Sequence, residues 1–257
     1  MGIKALVIDL DGSVYHGNSL IERADEAVNL LSESYEVVFL TNNSTRSREG
    51  VVEKLLNFGI SCKKQQIITS GYAAARYIQA RHESSRVYVI GAQGLKDELV
   101  EHNITLCEDD CTCVLVGLDK AFTYTKLHNA LTFILRGAVF IATNTDPFLI
   151  TGDGIKPGAG SLVAALETAS GKKPIVTGKP SAFITDLIVT HLNVKPHEIL
   201  IVGDNLRTDI LMGIKGGMRT ALVLTGASTL NEIGELHIQP DYVFESISEL
   251  PRRLTEI

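Results

Sequence analysis

The sequence lacks any cluster of lysine and arginine residues, although charged residues are common in it. Its 24 Lys and Arg residues are outnumbered by 30 Asp and Glu residues, which gives a formal net charge of −6. Proteins that bind the phosphate backbone of nucleic acids carry a basic surface. We therefore expect no nucleic acid partner, and any small anionic ligand must be bound by local positive charge.

The N-terminus lacks a long apolar run. Its first apolar segment, residues 5–8, stops at Asp9 and is too short for a signal peptide or a membrane span. Leu6 also breaks the myristoylation pattern that a Met-Gly start suggests. The sequence therefore predicts a cytoplasmic protein that has no membrane partner.

Cysteine is scarce, and its spacing is unlike that of a zinc site. The four cysteines form no CxxC pair and have no histidine at zinc-finger spacing. We therefore expect thiols in the core rather than zinc ligands. Cys111 and Cys113 alternate at the start of a predicted strand and would share one face of it. The four are Cys62, Cys107, Cys111 and Cys113.

The length and apolar content are those of a globular protein. With 257 residues, of which 45% are hydrophobic, the chain can form one large domain or two modest ones. Strand and helix patterns alternate along almost all of it, which is typical of a doubly wound, parallel α/β sheet. Ligands of such folds bind beyond the carboxyl ends of the strands, so polar residues there are the candidates for chemistry.

The first predicted strand ends on two carboxylates. Asp9 and Asp11 directly follow the apolar run of residues 5–8, and Gly12 allows a sharp turn after them. Two carboxyl groups this close repel each other, and a bound cation would hold them ionised. An isolated Asp-x-Asp-Gly is also an ordinary turn at a strand end, so the other strand ends must decide between the two interpretations.

A second strand end offers hydrogen-bond donors. The predicted strand at residues 36–40, apolar after its first residue, is followed by Thr41, Asn42 and Asn43, ahead of a predicted helix. A hydroxyl, side-chain amides and free backbone N–H groups can all bind an anion. Taken alone, the same residues suit an ordinary helix cap equally well.

Two later strand ends complete the set. One short strand leads to Lys179, and the most apolar strand of the chain stops at Asp204, with Asp209 in the first turn of the helix that follows. Each has an ordinary explanation by itself. Together with the first two strand ends they suit nucleophilic attack on a phosphate ester assisted by a divalent metal ion.

These four strand ends resemble the four motifs of the haloacid dehalogenase superfamily. Two further segments are similar in particular to the NagD-type phosphatases, the group that includes p-nitrophenyl and phosphoglycolate phosphatases. The resemblance spans nearly the whole chain, and four motifs in the right order are far more specific than one. The motifs are Asp9-Leu10-Asp11-Gly12-Ser13, Thr41-Asn42-Asn43, Lys179, and Gly203-Asp204 with Asp209; the further segments are Ala142-Thr143-Asn144-Thr145-Asp146 and Gly178-Lys179-Pro180-Ser181.

The resemblance implies a phosphatase that hydrolyses small phosphate monoesters through an aspartyl phosphate. Asp9 would be the nucleophile, and Asp11 would protonate the leaving alcohol and later activate the hydrolytic water. Thr41 and Lys179 would complete the catalytic group by holding the phosphoryl oxygens. Substrate binding would use Thr41, Asn42, Asn43 and Lys179, together with Asn144 and Asp146.

The same resemblance implies Mg²⁺ as the cofactor, because this ion prefers about six oxygen ligands. Asp9 and Asp204 would bind it through their carboxylates, and Asp11 through its backbone carbonyl. Asp209 would orient metal-bound water or Lys179. The implied metal residues are thus Asp9, Asp11, Asp204 and Asp209.

The implied architecture is a doubly wound, Rossmann-like core interrupted by an α/β cap domain. The core would comprise residues 1–83 and 174–257, and residues 84–173 would form the cap that selects the substrate. Residues 152–161 are predicted to be a loop that leads into a cap helix. The sequence leaves open whether two copies of the chain form a homodimer through the cap.

One departure from the family pattern bears on the substrate. Leu149 stands where pyridoxal-phosphate phosphatases have a histidine, and it cannot hydrogen-bond a pyridine ring. We therefore expect sugar, polyol or carboxylate phosphates, and p-nitrophenyl phosphate, as substrates. The alternatives are a phosphotransferase or mutase that uses the same aspartyl phosphate, and a non-catalytic small-ligand-binding protein. A dehalogenase is disfavoured, because a halide leaving group needs neither an acid nor Mg²⁺.

Overall fold

The computed structural model describes residues 2–151 and 154–254. Among these residues, no helix has the length and apolar character that crossing a membrane requires. In chain order the strands are β1 (Ala5–Asp9), β2 (Tyr15–His16), β3 (Ser19–Leu20), β4 (Glu36–Thr41), β5 (Ile67–Thr69), β6 (Arg86–Ile90), β7 (Thr105–Leu106), β8 (Cys113–Val116), β9 (Val139–Ala142), β10 (Phe148–Thr151), β11 (Gly154–Pro157), β12 (Ile175–Val176), β13 (Ile199–Gly203), β14 (Arg219–Val223) and β15 (Tyr242–Phe244).

The helices alternate with these strands. The α-helices are α1 (Ala24–Ser34), α2 (Arg48–Asn57), α3 (Ser70–Arg81), α4 (Gln93–Glu101), α5 (Tyr124–Leu135), α6 (Ala159–Ser170), α7 (Ala182–Leu192), α8 (Leu211–Lys215), α9 (Leu230–Leu236) and α10 (Leu250–Leu254). Three short 3₁₀ helices and one π-helix are also described: Lys64–Gln66, Pro196–Glu198, Ile247–Glu249 and, as the π-helix, Leu206–Ile210.

The chain divides into two compact units. The first comprises Met1–Thr41, Val52–Ile68 and Lys179–Ile257, and the second comprises Asn42–Val51 and Thr69–Gly178. The predicted division into residues 1–83 with 174–257 and a cap of residues 84–173 has other bounds and stays a prediction.

A six-stranded sheet, in the order β15-β14-β13-β1-β4-β5, forms the centre of the first unit. β1 lies between β13 and β4 and is parallel to both, and all five of its residues are buried. A strand covered on both faces of a parallel sheet has to be apolar throughout, which is why its sequence shows no alternation. This arrangement confirms the predicted α/β class.

The register of this sheet brings the strand ends level with one another. Asp9 at the end of β1 pairs with Leu40, and Ile8 pairs with Val202, so Thr41 and Gly203 also lie at the carboxyl edge. Parallel strands end at a common edge, and the polar residues that follow them are therefore neighbours.

The second unit contains a five-stranded parallel sheet in the order β12-β9-β8-β6-β7. Successive side chains of a strand point to opposite faces, so each face has its own apolar cluster. Helices α5 and α6 contribute to the cluster that contains Val114 and Val116. Helices α3 and α4 contribute to the other, which contains Cys113 and Leu115. The second unit is therefore also doubly wound.

Part of the predicted loop at residues 152–161 is a strand instead. β10 and β11 form an antiparallel hairpin, and α6 begins two residues after β11. Glycine and proline residues on both sides of the hairpin are typical of loops, but in this structure they flank short strands. Gly152 and Asp153 lie outside the described residues.

Two expectations about cysteine are wrong. Cys107 and Cys111 form a disulfide instead of lying in the core as thiols, while Cys62 and Cys113 are free. Cys111 and Cys113 also lie in different apolar clusters rather than on one face. Strand β8 begins only at Cys113, so the two-residue alternation of a strand does not extend back to Cys111.

Candidate active site

Three carboxylates and one ammonium group meet at the carboxyl edge of the six-stranded sheet. Asp9 is the last residue of β1, Asp204 follows β13, and Asp209 lies in the π-helix Leu206–Ile210. Carboxylate oxygens of these three residues all lie within 4.8 Å of one another, and all three side chains are buried. The sequence predicted this association from the strand ends alone.

Lys179 lies between two of the carboxylates. Its Nζ atom is 2.5 Å from Asp9 Oδ1 and 2.6 Å from Asp209 Oδ1, and only 3% of the residue is exposed. Burial acts to lower the pKa of the ammonium, but the carboxylates of Asp209 and Asp9 outweigh it and raise the pKa above its usual value. Lys179 is therefore held as a cation.

One ammonium does not balance three buried carboxylates. Burial raises the pKa of Asp9 well above its usual value, and the nearby Asp209 and Asp204 add to this against the attraction of Lys179. Burial, with Asp209 next, raises the pKa of Asp204 to about 7. In the part of the chain that the structure describes, the three carboxylates of the cluster thus outnumber the ammonium of Lys179 that contacts them.

Asp209 is fixed by several donors. Its Oδ2 atom accepts hydrogen bonds from Asn205 N (3.2 Å) and Thr208 Oγ1 (3.3 Å), while its Oδ1 atom faces Lys179. The π-helical turn that carries it is a rare conformation that occurs frequently at functional sites. The contact with Lys179 agrees with one of its two predicted roles, and the role itself stays a prediction.

Asp204 lies in a close-fitting backbone pocket. Ala227 N donates to its Oδ2 atom at 2.6 Å, and Ser228 N donates to its carbonyl oxygen at 3.0 Å. A Cβ atom at either Gly12 or Gly226 would collide with the carboxylate. The backbone around Asp204 therefore permits little rotation of its side chain.

Asp11 and Thr41 lie beside the buried cluster. The side chain of Asp11 is exposed, and its Oδ2 atom accepts a hydrogen bond from Thr41 Oγ1 at 3.4 Å. An acid that protonates a leaving group has to reach the substrate, so exposure suits the predicted role. The carboxylate of Asp11 is not part of the three-carboxylate group found among the described residues.

The other predicted substrate-binding residues lie together in the second unit. Asn42 Nδ2 donates to Asp146 Oδ2 at 3.0 Å, and Asn144 Nδ2 donates to the Asn42 carbonyl oxygen at 2.8 Å. The side chain of Asn43 accepts hydrogen bonds from Thr45 N and Thr45 Oγ1 (2.9 and 2.7 Å). The structure thus brings Asn42, Asn144 and Asp146 into one hydrogen-bonded group.

Comparisons with known proteins agree on one family. Residues 6–105 match the model of the haloacid dehalogenase-like hydrolases, and residues 176–250 match a HAD-hydrolase-like model. The 5'-nucleotidase YutF of Bacillus subtilis is 36% identical over 247 residues, which are 96% of each chain. The chain belongs to the haloacid dehalogenase-like hydrolases.

Two other members of this family support the placement. The acid sugar phosphatase of Staphylococcus aureus is 35% identical over 248 residues, again 96% of each chain. The structure of NagD from Escherichia coli K-12 superposes with a TM-score of 0.89 at 33% identity, covering 97% of this chain and 98% of the other. The resemblance to the NagD-type branch of the haloacid dehalogenase-like hydrolases is confirmed.

The residues of this haloacid dehalogenase-like hydrolase fit a magnesium ion. Mg²⁺ prefers carboxylate and carbonyl oxygens, and the cluster offers three buried carboxylates whose oxygens are close enough to share one ion. Burial, together with the neighbouring carboxylates, raises the pKa of two of the three. A divalent cation would supply positive charge that favours their ionised form.

The sequence prediction assigned no role to two parts of the site. Ser13 Oγ donates to Asp9 Oδ2 at 3.4 Å and is buried. The loop after β14 is the larger omission, because it binds Asp204 through backbone N–H groups, and Thr225 Oγ1 donates to the Gly12 carbonyl oxygen at 2.7 Å. The only sequence indication of this loop is a glycine among small polar residues directly after a buried strand.

Proposed function

We propose that this protein is a Mg²⁺-dependent phosphatase that hydrolyses small phosphate monoesters through an aspartyl phosphate on Asp9. The observation that carries the proposal is the buried group of three carboxylates around Lys179 at the carboxyl edge of the first sheet. A phosphoryl group brings negative charge into such a site, so a cation and an ammonium have to be present together. Membership of the haloacid dehalogenase-like hydrolases supports the same chemistry.

In the first step an Asp9 carboxylate oxygen attacks phosphorus. The bond between phosphorus and the ester oxygen breaks, and Asp11 gives its proton to that oxygen as the alcohol leaves. Lys179 stays protonated throughout, because the carboxylates beside it raise its pKa. Its charge stabilises the carboxylate before attack and the phosphoryl oxygens afterwards.

In the second step water hydrolyses the aspartyl phosphate. Asp11, now a carboxylate, accepts a proton from the attacking water, the bond between the Asp9 oxygen and phosphorus breaks, and inorganic phosphate is released. Thr41 and the backbone N–H groups of Asn42 and Asn43 hold the phosphoryl oxygens during both steps.

Asp9, Asp204 and Asp209, together with the carbonyl of Asp11, are the residues that would hold Mg²⁺. When bound, the ion neutralises the carboxylates and the phosphoryl oxygens and so lowers the electrostatic cost of attack. Asp209 also contacts Lys179 directly, so it would interact with both cations.

We propose that the protein acts in the cytoplasm and that its substrates are small phosphate monoesters. We also propose that the second unit selects among them. The names of two relatives point to nucleotides and acid sugars, respectively, and p-nitrophenyl phosphate is the convenient chromogenic substrate. Leu149 in place of a histidine argues against pyridoxal phosphate.

A phosphate-release screen tests this proposal. The purified protein is incubated with nucleoside monophosphates, sugar phosphates, carboxylate phosphates and p-nitrophenyl phosphate, with Mg²⁺ or with excess chelator. We expect release that requires Mg²⁺ and that is absent in Asp9→Asn. Release of p-nitrophenol that requires an added alcohol acceptor and yields a new phosphate ester instead of inorganic phosphate would indicate a phosphotransferase. Phosphate release from none of the substrate classes would overturn the proposal.

A further inference from the structure

Two side chains of the second unit hold the carbonyl group of Asn42. Ser70 Oγ donates to the Asn42 oxygen at 2.6 Å and Asn144 Nδ2 donates to it at 2.8 Å. Both donors are buried, with Ser70 1% and Asn144 4% exposed. A carbonyl that accepts two such bonds from buried donors has one strongly preferred direction.

The direction of this carbonyl also sets the direction of the next amide. Among the described residues the only cis peptide bond precedes Pro180, so the bond between Asn42 and Asn43 is trans. In a planar trans peptide the C=O and N–H groups point to opposite sides. Holding the Asn42 oxygen therefore aims the Asn43 N–H group, which is one of the proposed phosphate donors.

The side chain of Asn42 is held by the same group of residues. Its Nδ2 atom donates to Asp146 Oδ2 at 3.0 Å, and the Asp146 N–H group donates to Asn144 Oδ1 at 3.1 Å. A Cβ atom at Gly178 would lie 2.6 Å from Asn42 Oδ1, so the backbone directly before Lys179 packs against this side chain. Asn42 is thus fixed at its carbonyl and at its amide.

Asn144 uses both ends of its amide inside the protein. The nitrogen serves the Asn42 carbonyl, and the oxygen accepts from the Asp146 backbone. A side chain so engaged and so deeply buried is suited to orienting its neighbours rather than to meeting a substrate.

We propose that Ser70, Asn144 and Asp146 are positioning residues for phosphate binding, and that they act by fixing the peptide group between Asn42 and Asn43, whose N–H group is a proposed phosphate donor. This inference rests on the proposed function, since it concerns the phosphate of that reaction. It differs from the predicted direct binding of the substrate by Asn144 and Asp146, which in a cap that selects the substrate would mean contact with the leaving group. A positioning role affects the phosphate common to all substrates, whereas a leaving-group contact affects some substrates and spares others.

Inorganic phosphate separates these roles, because it has no leaving group. The test measures kcat and KM for p-nitrophenyl phosphate and for the best natural substrate, the Ki of inorganic phosphate, and Tm, in Mg²⁺-loaded protein. Asn144→Asp is nearly isosteric but cannot donate to the carbonyl, and Ser70→Ala removes the other donor. Thr145→Ala, at the exposed residue between Asn144 and Asp146, is the matched control.

We expect Asn144→Asp to raise the Ki of phosphate about tenfold and to lower kcat/KM on both substrates by a similar factor. Ser70→Ala should change the same quantities in the same direction by a smaller factor, and Thr145→Ala should match the wild type. Because Ser70→Ala removes a single oxygen atom, it keeps the test valid if Asn144→Asp fails to fold.

Two results would overturn the inference. One is an unchanged Ki of phosphate in folded Asn144→Asp and Ser70→Ala, and the other is a loss of kcat/KM confined to one substrate. If the wild-type protein released phosphate from none of the phosphate esters in the screen, the proposed function would be overturned instead. Phosphate binding by wild type and variants, measured by calorimetry, would still decide the positioning role in that case.

Discussion

At the scale of single residues, the two carboxylates of the first motif occupy opposite environments. Asp9 is buried beside Lys179, whereas the side chain of Asp11 is exposed and accepts a hydrogen bond from Thr41. A nucleophile benefits from a fixed position, and a proton donor benefits from access to the leaving group. The difference in burial therefore supports the division of roles between them.

This division predicts how Asp11→Asn behaves. An amide cannot protonate the leaving oxygen, so turnover of alkyl phosphates should fall by a factor of about 100 or more. p-Nitrophenolate is a good leaving group that needs little protonation, so its loss should be several times smaller. Steady-state kinetics on both substrates measure the difference, and equal losses on both would count against the acid role.

The two free cysteines give a prediction about pH. Burial raises the pKa of Cys113 to about 12 and that of Cys62 to about 11. An unfolded thiol ionises at about pH 8.5, so the unfolded state releases these protons at a lower pH than the folded state. The folded state therefore loses stability as pH rises above that value. At pH 8 we expect both thiols of the native protein to react slowly with a thiol reagent.

The measurement is a thiol titration with and without denaturant. Without reductant, unfolded protein should expose two rapidly reacting thiols per chain, because Cys107 and Cys111 are paired. Cys62→Ala should remove the faster of the two slow native reactions, since Cys62 is only half-buried. Rapid reaction of native Cys113 would contradict its burial.

At the scale of elements, the strand ends were predictable and the loops between them were not. Apolar runs that break at Asp9, Thr41 or Asp204 mark both the end of a buried strand and the chemistry beyond it. The loop at residues 224–228 acts through backbone N–H groups and the absence of a side chain at Gly226, which residue chemistry does not reveal.

Contacts between segments that are distant in the sequence were also not predictable. Asn42 and Asn144 are about a hundred residues apart, and nothing local in either segment shows that one donates to the other's carbonyl. Hairpin β10–β11 escaped prediction for a different reason, since its flanking glycine and proline residues are also typical of loops. Hydrophobic periodicity predicts what is buried, but not which polar groups become partners.

The loop after β14 yields a prediction of its own. In Gly226→Ala the added Cβ atom would collide with the Asp204 carboxylate, which must rotate away from the Ala227 N–H group. We expect the affinity for Mg²⁺ to fall about tenfold, equivalent to about 1.4 kcal/mol. Titration with Mn²⁺ followed by electron paramagnetic resonance, with Mg²⁺ as competitor, measures this without relying on turnover.

Gly234→Ala is the matched control for that substitution. Gly234 lies inside helix α9, and apart from its neighbours in that helix no described atom lies within 4 Å of an added Cβ. Alanine there should leave metal affinity unchanged and stabilise the helix by about 0.5 to 1 kcal/mol. If both variants bind Mn²⁺ as tightly as the wild type, the loop after β14 does not position Asp204.

At the scale of the whole molecule, the charge imbalance of the site links metal binding to stability. Asp9, Asp204 and Asp209 belong to the first unit, and among the described residues their carboxylates outnumber the ammonium of Lys179 beside them. A ligand that binds only the folded state stabilises it by mass action, by about 2.7 kcal/mol at a hundredfold excess over Kd. Mg²⁺ should therefore raise Tm by about 5 to 10 °C in calorimetry.

Asp204→Asn separates this charge effect from general stabilisation by salt. The variant keeps an oxygen that can accept from Ala227 N but loses one of the three buried charges. We expect its metal-free Tm to equal or exceed that of the metal-free wild type, because less uncompensated charge is buried. Its response to Mg²⁺ should nearly vanish. Equal Tm increases in wild type and Asp204→Asn would show that Mg²⁺ stabilises the protein at some other place, and would remove the metal site from the proposed mechanism.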